Sequence, residues 1–222
     1  MPPTLILASQ SPRRQEFMRN LGLDFAVRRA DLDETPHPGE NPTALAARLA
    51  RAKARVVAAQ LRTGSRTDDS GQALVLAADT VVALGDQLLG KPVDPADARQ
   101  MLVTLRGQSH QVISGISILA AATGRQITRT NCTLVTMRNY SDAELEAYIA
   151  TGDPMDKAGA YAIQHPEFAP VARLEGCFSG VMGLPLGDLC DLLTEFGVPV
   201  AAPLASICLG HGAAACCHPV HD

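Results

Sequence analysis

The amino-acid sequence predicts an α/β protein built around a mixed β-sheet, and two observations support this fold class. Early in the chain, short apolar runs alternate with segments in which apolar residues recur at helical spacing. In the middle, two long β-rich segments, 111–122 and 125–137, are joined only by Thr123-Gly124, which is typical of a hairpin. A sheet with both kinds of connection contains parallel and antiparallel strands. The 222 residues suffice for one sizeable core or two small lobes.

Each element predicted in the first half of the chain has its own local signal. The apolar run 5–8 predicts a strand, and Ser11 followed by Pro12 is typical of a capped helix start. Gly22 predicts the end of that helix. The elements predicted in this half are a strand at 4–9, a helix at 11–21, a strand at 25–29, a proline-rich loop at 31–42, a helix at 41–61, a polar connection at 64–71, a buried strand at 74–77, a hairpin at 81–89 and a helix at 94–105 capped by Asp94.

The second half continues from the central hairpin into a helical region. Ser141 with Glu144 three residues later forms the pattern of a capping box, and the helix that it opens ends at Gly152. Residues 153–183 are predicted to be rich in loops with short strands. Residues 185–196 form the last predicted helix.

After Val198 the sequence changes character, because Ala, Cys, Gly and His follow one another without periodicity. We therefore expect a folded domain at 1–197 and a mobile tail at 198–222. The cysteines are expected to be reduced thiols, since no secretory signal and no C-x-x-C pair is found. They are Cys132, Cys177, Cys190, Cys208, Cys216 and Cys217.

Composition excludes several classes of function. The formal net charge is −4 and aromatic residues make up only 4% of the chain, which disfavours broad nucleic-acid binding and single-strand stacking platforms. No apolar stretch reaches the length of a membrane span. A negatively charged protein that binds a polyanion must concentrate its positive charge locally, which suits a nucleotide better than a duplex.

The predicted start of the first helix carries an unusual charge pattern. Arg13 and Arg14 lie in its first turn, where the free N–H groups and the helix dipole favour anions. A bound phosphate resolves this conflict, whereas the plain alternative is a solvated basic helix start.

Asp79 follows the apolar run 75–78, so we expect it at the end of a buried strand, where an unpartnered carboxylate is costly. It could hold a divalent cation, take a proton from water or merely cap a turn. Thr80 adds a hydroxyl beside it, and Lys91 is fixed between a glycine and a proline. Glu34 and its neighbour Asp33 could add metal ligands from the proline-rich loop.

A third stretch, 156–164, joins the charged pair Asp156-Lys157 to a small, glycine-containing segment that allows close backbone approach. It ends at Gln164, whose amide offers both a donor and an acceptor, as recognition of a base edge requires. Isolated pairs of this kind are otherwise weak surface ion pairs.

Taken together, these stretches resemble the Maf proteins over about residues 4–197. The motifs that carry the resemblance are Ser9-x-Ser11-Pro12-Arg13-Arg14, Ala78-Asp79-Thr80-Val81-Val82, Gly90-Lys91-Pro92, Gly107-x-x-His110-x-Val112, Asp156-Lys157-Ala158-Gly159-Ala160-Tyr161-x-Ile163-Gln164 and Gly183-Leu184-Pro185-Leu186. The resemblance implies an elongated mixed sheet with flanking helices and two lobes around a central cleft, as in the inosine triphosphate pyrophosphatases. It also implies a cytoplasmic nucleoside triphosphate pyrophosphatase that uses Mg²⁺ or Mn²⁺ and is often a homodimer.

The resemblance further implies roles for particular residues. Asp79 would be the catalytic acid/base and, with Glu34, a metal ligand. The implied substrate-binding residues are Ser11, Arg13, Arg14, Lys53, Thr80, Lys91, Asp156, Lys157 and Gln164. Among these, Arg13, Thr80 and Gln164 occupy positions that separate substrate subgroups, and here they resemble the dTTP/UTP subgroup.

Other functions remain open at this stage. One is a nucleotide-sensing regulator of cell division with little turnover, and another is a pyrophosphatase of the 7-methyl-GTP type. A nucleotide sensor needs the basic residues but no acid at Asp79, so the acid favours an enzyme.

Overall fold

The computed structural model describes residues 3–63 and 72–208, and within them the backbone forms one seven-stranded mixed β-sheet flanked by helices. The elements, in chain order, are β1 (Leu5–Leu7), α1 (Pro12–Asn20), β2 (Phe25–Val27), α2 (Pro42–Thr63), β3 (Leu74–Leu84), β4 (Gln87–Leu89), α3 (Pro95–Leu105), β5 (Ser109–Ala120), β6 (Gln126–Met137), α4 (Asp142–Ala150), two 3-10 turns (Asp153–Asp156 and Ala158–Ala160), β7 (Val171–Glu175), α5 (Phe178–Val181), α6 (Leu186–Glu195) and α7 (Leu204–Ile207).

The sheet confirms the predicted mixture of strand directions. Its order is β2-β1-β3-β5-β6-β7, with β4 paired to β3 beside this path. Strands β2, β1 and β3 are parallel, whereas β3, β5, β6 and β7 pair antiparallel. The hairpin predicted around Thr123-Gly124 connects β5 to β6.

Strand β3 is continuous, but one of its two edges lacks a described neighbouring strand over part of its length. On that edge, β1 pairs with 74–76 and β4 pairs with 82–84. Residues 77–81 between them have β5 on the other side, but no described strand on this one. The expectation that Asp79 ends a strand was therefore wrong. It lies inside β3, because pairing with β5 continues through 74–83 even where polar residues break the apolar pattern.

Alternate residues of β3 face different cores. One face contacts α2, through Val75 and Ala77 among others. On the opposite face, Leu76 packs in a core with α1 and α6, while Val82 belongs to a separate core with α3 and α4. Two cores at opposite ends of one sheet face produce the two predicted lobes, and Asp79 lies at the level between them.

Helix α2 approaches the sheet very closely at one point. A Cβ atom on Gly115 of β5 would lie 2.3 Å from the carbonyl oxygen of Ala46, closer than real Cβ contacts allow. Gly115 is also the residue paired with Asp79 across β3 and β5. Because Lys53 lies two turns after Ala46 on the same helix, this contact brings its side chain to Asp79.

Helix caps agree with the sequence at two of three predicted places. Asp94 accepts a hydrogen bond from the Asp97 N–H at 2.8 Å, and Ser141 with Glu144 forms the capping box. Ser11 occupies the N-cap position of α1, but its side chain makes no capping bond. Its own N–H instead donates to Oγ of Ser9 at 3.2 Å, and Ser11 lines the cleft described below.

The chain continues to pack on the domain after α6, through residue 208. Residues 198–208 include α7, and Val198, Val200 and Leu204 pack against the core of α1 and α6. The expectation that 185–196 is the last helix was wrong, because these apolar residues lack the helical spacing on which it relied. The polar connection at 64–71 and the Cys/His-rich stretch at 209–222 lie outside the described residues.

Two further expectations concern composition. Cys132 and Cys190 are free thiols. Among the described residues, no helix is both long and apolar enough to span a membrane.

Candidate active site

A cleft of about 860 Å³ opens where the edge of β3 lacks a strand neighbour, between the two lobes. Its volume is in the range of ligand pockets. Of the site residues predicted from the sequence, all but Asp33 line this one cleft, although they come from segments far apart in the chain. The residues that line it are Ser11, Arg13, Arg14, Glu34, Lys53, Asp79, Thr80, Lys91, Asp156, Lys157 and Gln164. The Asp33 carboxylate instead accepts a hydrogen bond from the Thr35 N–H at 2.9 Å.

At the centre of the cleft, one ammonium group joins two carboxylates. Nζ of Lys53 lies 2.6 Å from Oδ1 of Asp79 and 2.7 Å from Oε1 of Glu34. The side chains of Lys53 and Asp79 are only 12% and 10% exposed, whereas Glu34 is 56% exposed. The buried pair is supplied by regular elements, α2 and β3, and the third partner by the loop before α2.

Burial raises the pKa of Asp79 above its ordinary value, while the positive charges of Lys53 and Arg14 partly offset the effect. A carboxylate with a raised pKa is a stronger base than an exposed aspartate. Asp79 is therefore suited to take a proton from water at a pH where it is still ionised.

Arg14 is held in place by three hydrogen bonds, one of them to Thr80, the residue after Asp79 on β3. Its Nε donates to the Gly183 carbonyl at 2.8 Å, and its two terminal nitrogens lie 3.2 Å from Oγ of Ser9 and 3.3 Å from Oγ1 of Thr80. A guanidinium held at three points presents its charge to the cleft in a fixed orientation. Ser9 was part of the motif but had not been predicted as a site residue.

Thr80 belongs to a chain of hydrogen bonds that continues into the core. Its Oγ1 lies 2.8 Å from Oγ of Ser114, which donates to the Gly180 carbonyl at 2.7 Å. Ser114 is fully buried and was missed by the sequence analysis. The signal was a serine in the apolar strand β5, which by itself indicates only a satisfied core hydroxyl.

The segment after α4 brings more charge to the cleft. Nη1 of Arg13 lies 3.8 Å from Oδ2 of Asp156. Nζ of Lys157 has three partners, the Asp153 carbonyl at 2.5 Å, Oδ1 of Asp153 at 2.9 Å and Oδ1 of Asp156 at 2.6 Å. Because an ammonium has three donors, Lys157 in this arrangement stabilises the turn and has no donor left for a ligand.

The loop that carries Glu34 is held down by a separate ion pair. Arg48 of α2 forms two hydrogen bonds with the Glu40 carboxylate, at 2.6 and 2.7 Å, and a third with the Thr35 carbonyl at 3.1 Å. The hydrogen bonds from Arg48 lower the pKa of Glu40 to about 2. Neither residue was predicted, because an Arg and a Glu eight positions apart look like ordinary surface charges.

Lys91 and Gln164 complete the lining, and both are exposed. Their segments are connected by a backbone hydrogen bond from the Gly159 N–H to the Gly90 carbonyl at 3.0 Å. Lys91 therefore lies in a loop tied to the segment that ends with Gln164.

A buried acid surrounded by cations, in a cleft between two lobes of an α/β sheet, is typical of proteins that bind phosphorylated ligands. Comparison with known families gives the particular one: the Maf-like protein family matches residues 4–196, so this chain belongs to the Maf family. The resemblance noted from the motifs is thereby confirmed.

Individual relatives resemble the chain over nearly its whole length. A protein of Myxococcus xanthus is 46% identical, with 88% of this chain and 94% of that protein covered. Proteins of Anaeromyxobacter dehalogenans and Desulforamulus reducens are 45% and 42% identical, covering 90% and 88% of this chain and 97% and 98% of their own. Each of these relatives is named dTTP/UTP pyrophosphatase.

Proposed function

We propose that this protein hydrolyses dTTP and UTP to the nucleoside monophosphate and pyrophosphate. The observation that carries the proposal is the buried Asp79 beside Lys53 and Arg14 in a cleft of nucleotide size that Arg13 also lines. The names of relatives at 41–46% identity support the same reaction and the same two substrates.

In this proposal Asp79 is the general base. It orients a water molecule and accepts its proton while the water oxygen attacks the α-phosphorus. The bond between the α-phosphorus and the bridging oxygen then breaks, and the electron pair leaves with pyrophosphate. Its raised pKa suits Asp79 to this step.

The cations of the cleft hold the triphosphate and offset the charge on the leaving pyrophosphate. Arg14 is fixed in orientation, whereas Lys91 is exposed in its loop. Lys53 must give up part of its contact with Asp79 or Glu34 when it turns to a phosphate. The N–H groups at the start of α1 add further donors, because Ser11 leaves them uncapped.

A divalent metal, Mg²⁺ or Mn²⁺, is part of the proposal. No group of three or more His, Cys, Asp or Glu side chains capable of holding a metal occurs among the described residues. Glu34 and Asp79, brought together around Lys53, nevertheless fit Mg²⁺, which is usually bound by one or two carboxylates together with substrate phosphates. Such an ion would supply neutralisation of the charge that develops on the phosphates.

We assign base recognition to the segment 156–164 together with Thr80 and with Arg13, which lies 3.8 Å from Asp156. Gln164 can pair with the carbonyl and imino N–H of a pyrimidine through the two sides of its amide. The proposal also includes the cytoplasm as compartment and a homodimer as the oligomeric state.

The test is a panel of nucleoside triphosphates with Mg²⁺ or Mn²⁺ in which pyrophosphate and orthophosphate are both measured. We expect pyrophosphate and monophosphate in equal amounts, with the highest kcat/KM for dTTP and UTP. Release of orthophosphate and diphosphate would refute the reaction. An equal or better kcat/KM for GTP or 7-methyl-GTP would overturn the substrate assignment alone, and tight binding without turnover would favour a nucleotide sensor.

A further inference from the structure

A buried hydrogen bond links the sheet to the cleft wall near Gln164. His110 of β5 is 2% exposed and Tyr161 is 5% exposed. Nε2 of His110 lies 2.8 Å from the Tyr161 hydroxyl, and the two rings meet edge to face with centroids 5.4 Å apart. Tyr161 also lines the cleft, so this bond connects a central strand directly to the ligand-facing surface.

Stability alone does not explain a histidine at this position. Nδ1 of His110 is buried and has no hydrogen-bond partner in the described part of the chain. Burial lowers the pKa of His110 to about 4, so the ring is neutral near pH 7. An apolar side chain of similar size would avoid the unsatisfied nitrogen but would lose the bond to Tyr161.

The segment that Tyr161 belongs to needs to be held in place. Within it, Gly159 and Ala160 have φ angles of +72° and +60°, and the second is strained because alanine carries a Cβ atom. At the turn itself, the Gly159 N–H donates to the Gly90 carbonyl at 3.0 Å. After it, the Ala162 N–H donates to the Tyr148 hydroxyl at 2.9 Å.

Tyr161 is the anchor that ties this segment to the central sheet, whereas His165, the residue after Gln164, packs edge to face on Tyr148 of α4. Gln164 is exposed and follows Tyr161 by three residues. A shift of the Tyr161 ring would therefore move the backbone that presents the Gln164 amide. The Asp79 end of the cleft is built on β3 and α2, and neither element carries His110 or Tyr161.

We propose that His110 is a positioning residue for base recognition, which through Tyr161 holds the segment 156–164 where Gln164 meets the nucleotide base. This inference rests on the proposed function of the cleft. It assigns to the His110–Tyr161 bond an effect on the choice between bases and little effect on the hydrolytic step itself.

The experiment measures kcat/KM for dTTP and for GTP in Tyr161→Phe, His110→Leu and the double variant. Each single variant is expected to lower the ratio of the two values by about 3- to 10-fold, the range of one hydrogen bond. The double variant should lower it no further, because both changes remove the same bond. His110→Gln, which can place an amide nitrogen near the position of Nε2, should restore much of the ratio.

Tyr140→Phe is the matched control. Tyr140 is a buried tyrosine whose hydroxyl donates to the Leu102 carbonyl at 2.6 Å, and it is not part of the cleft lining. It should lose thermal stability with an unchanged dTTP/GTP ratio. Variants of His110 and Tyr161 that lower only the melting temperature, or whose effects on the ratio add, would overturn the inference. A wild-type protein that releases no pyrophosphate from any triphosphate would instead remove the proposed function and this inference with it.

Discussion

The two ends of the cleft are built in different ways. At the Asp79 end, the side chains come from β3 and α2 and are connected by ion pairs, as between Lys53 and Asp79. At the Gln164 end, they come from 3-10 turns and loop, anchored by neutral hydrogen bonds such as that between His110 and Tyr161. Regular elements hold reacting groups more exactly than loops do, whereas a loop can change its side chains without disturbing the sheet. In the proposed function, this difference separates the hydrolytic step from the choice of base.

Asp79→Asn should have the largest effect of these variants and tests whether the Asp79 end carries the hydrolytic step. We expect kcat to fall by about 10²- to 10⁴-fold for every nucleotide, with nucleotide still bound, because a general base is lost while the shape is retained. Lys53 keeps Glu34 as a partner in this variant. Turnover is measured by steady-state kinetics and nucleotide binding by calorimetry. The control is Asp86→Asn, because Asp86 is an exposed residue of the β3–β4 turn. Wild-type turnover in folded Asp79→Asn would exclude the assigned role.

We expect acid to lower the free energy of unfolding, because His110, which supports the Gln164 end of the cleft, is buried as the neutral form. The pKa of His110 is lowered to about 4 in the folded protein, against about 6.5 for an unfolded chain. The unfolded state therefore binds the proton first as pH falls. The contribution of neutral His110 to the free energy of unfolding is fully present above about pH 6.5. It is lost progressively towards pH 4, by as much as ~3 kcal/mol.

The measurement is the free energy of urea unfolding between pH 4 and 7. His110→Gln should flatten the curve in this window, whereas His165→Gln, a change at a half-buried histidine of the neighbouring loop, should keep the wild-type slope. Equal slopes in wild type and His110→Gln would show that another group causes the dependence.

Gly115→Ala tests whether the Asp79 end depends on close packing. The added Cβ atom meets the Ala46 carbonyl oxygen at 2.3 Å, so α2 must move away from β5. We expect a loss of about 1–3 kcal/mol in unfolding free energy, together with a lower kcat, because Lys53 moves with α2. Gly90→Ala, where no atom lies within 4 Å of the new Cβ, is the control for stability. Unchanged stability in Gly115→Ala would contradict the packing argument.

Gln164→Ala tests the Gln164 end of the cleft and should give the smallest effect on kinetics of these variants. Loss of the amide is expected to reduce the preference for dTTP and UTP over purine triphosphates by several-fold, about 1 kcal/mol, while kcat on the poorest substrate changes little. Steady-state kinetics on dTTP, UTP and GTP measure both quantities. A uniform fall in kcat for all three would place Gln164 in the hydrolytic step instead.

The sequence was sufficient to predict most of the charged residues that share the cleft, because Arg13, Arg14 and Asp79 lie in motifs that local structure alone does not explain. Lys53 and Glu34 lie in none of these motifs and followed only from the family resemblance. The catalytic and binding roles of all these residues remain predictions.

The sequence was insufficient for the neutral partners: the Gly183 carbonyl, Ser114 and the His110–Tyr161 bond depend on strand register and on chain crossings between distant segments. The position of Asp79 within β3 was missed for a similar reason, since pairing with β5 sets the length of that strand.

The same register affects how the molecule folds. Strands β3, β5 and β6 are close in sequence and pair over most of their length, whereas β1 joins β3 across about seventy residues and over only three pairs. Contacts between nearby segments form before distant ones, since less chain entropy is lost in closing them. We therefore expect the antiparallel sheet of β3, β5 and β6 to form first, and β1 to dock later together with α1. Arg14 then reaches Thr80 only in the last stages, so that a partly folded chain has a sheet but no cleft.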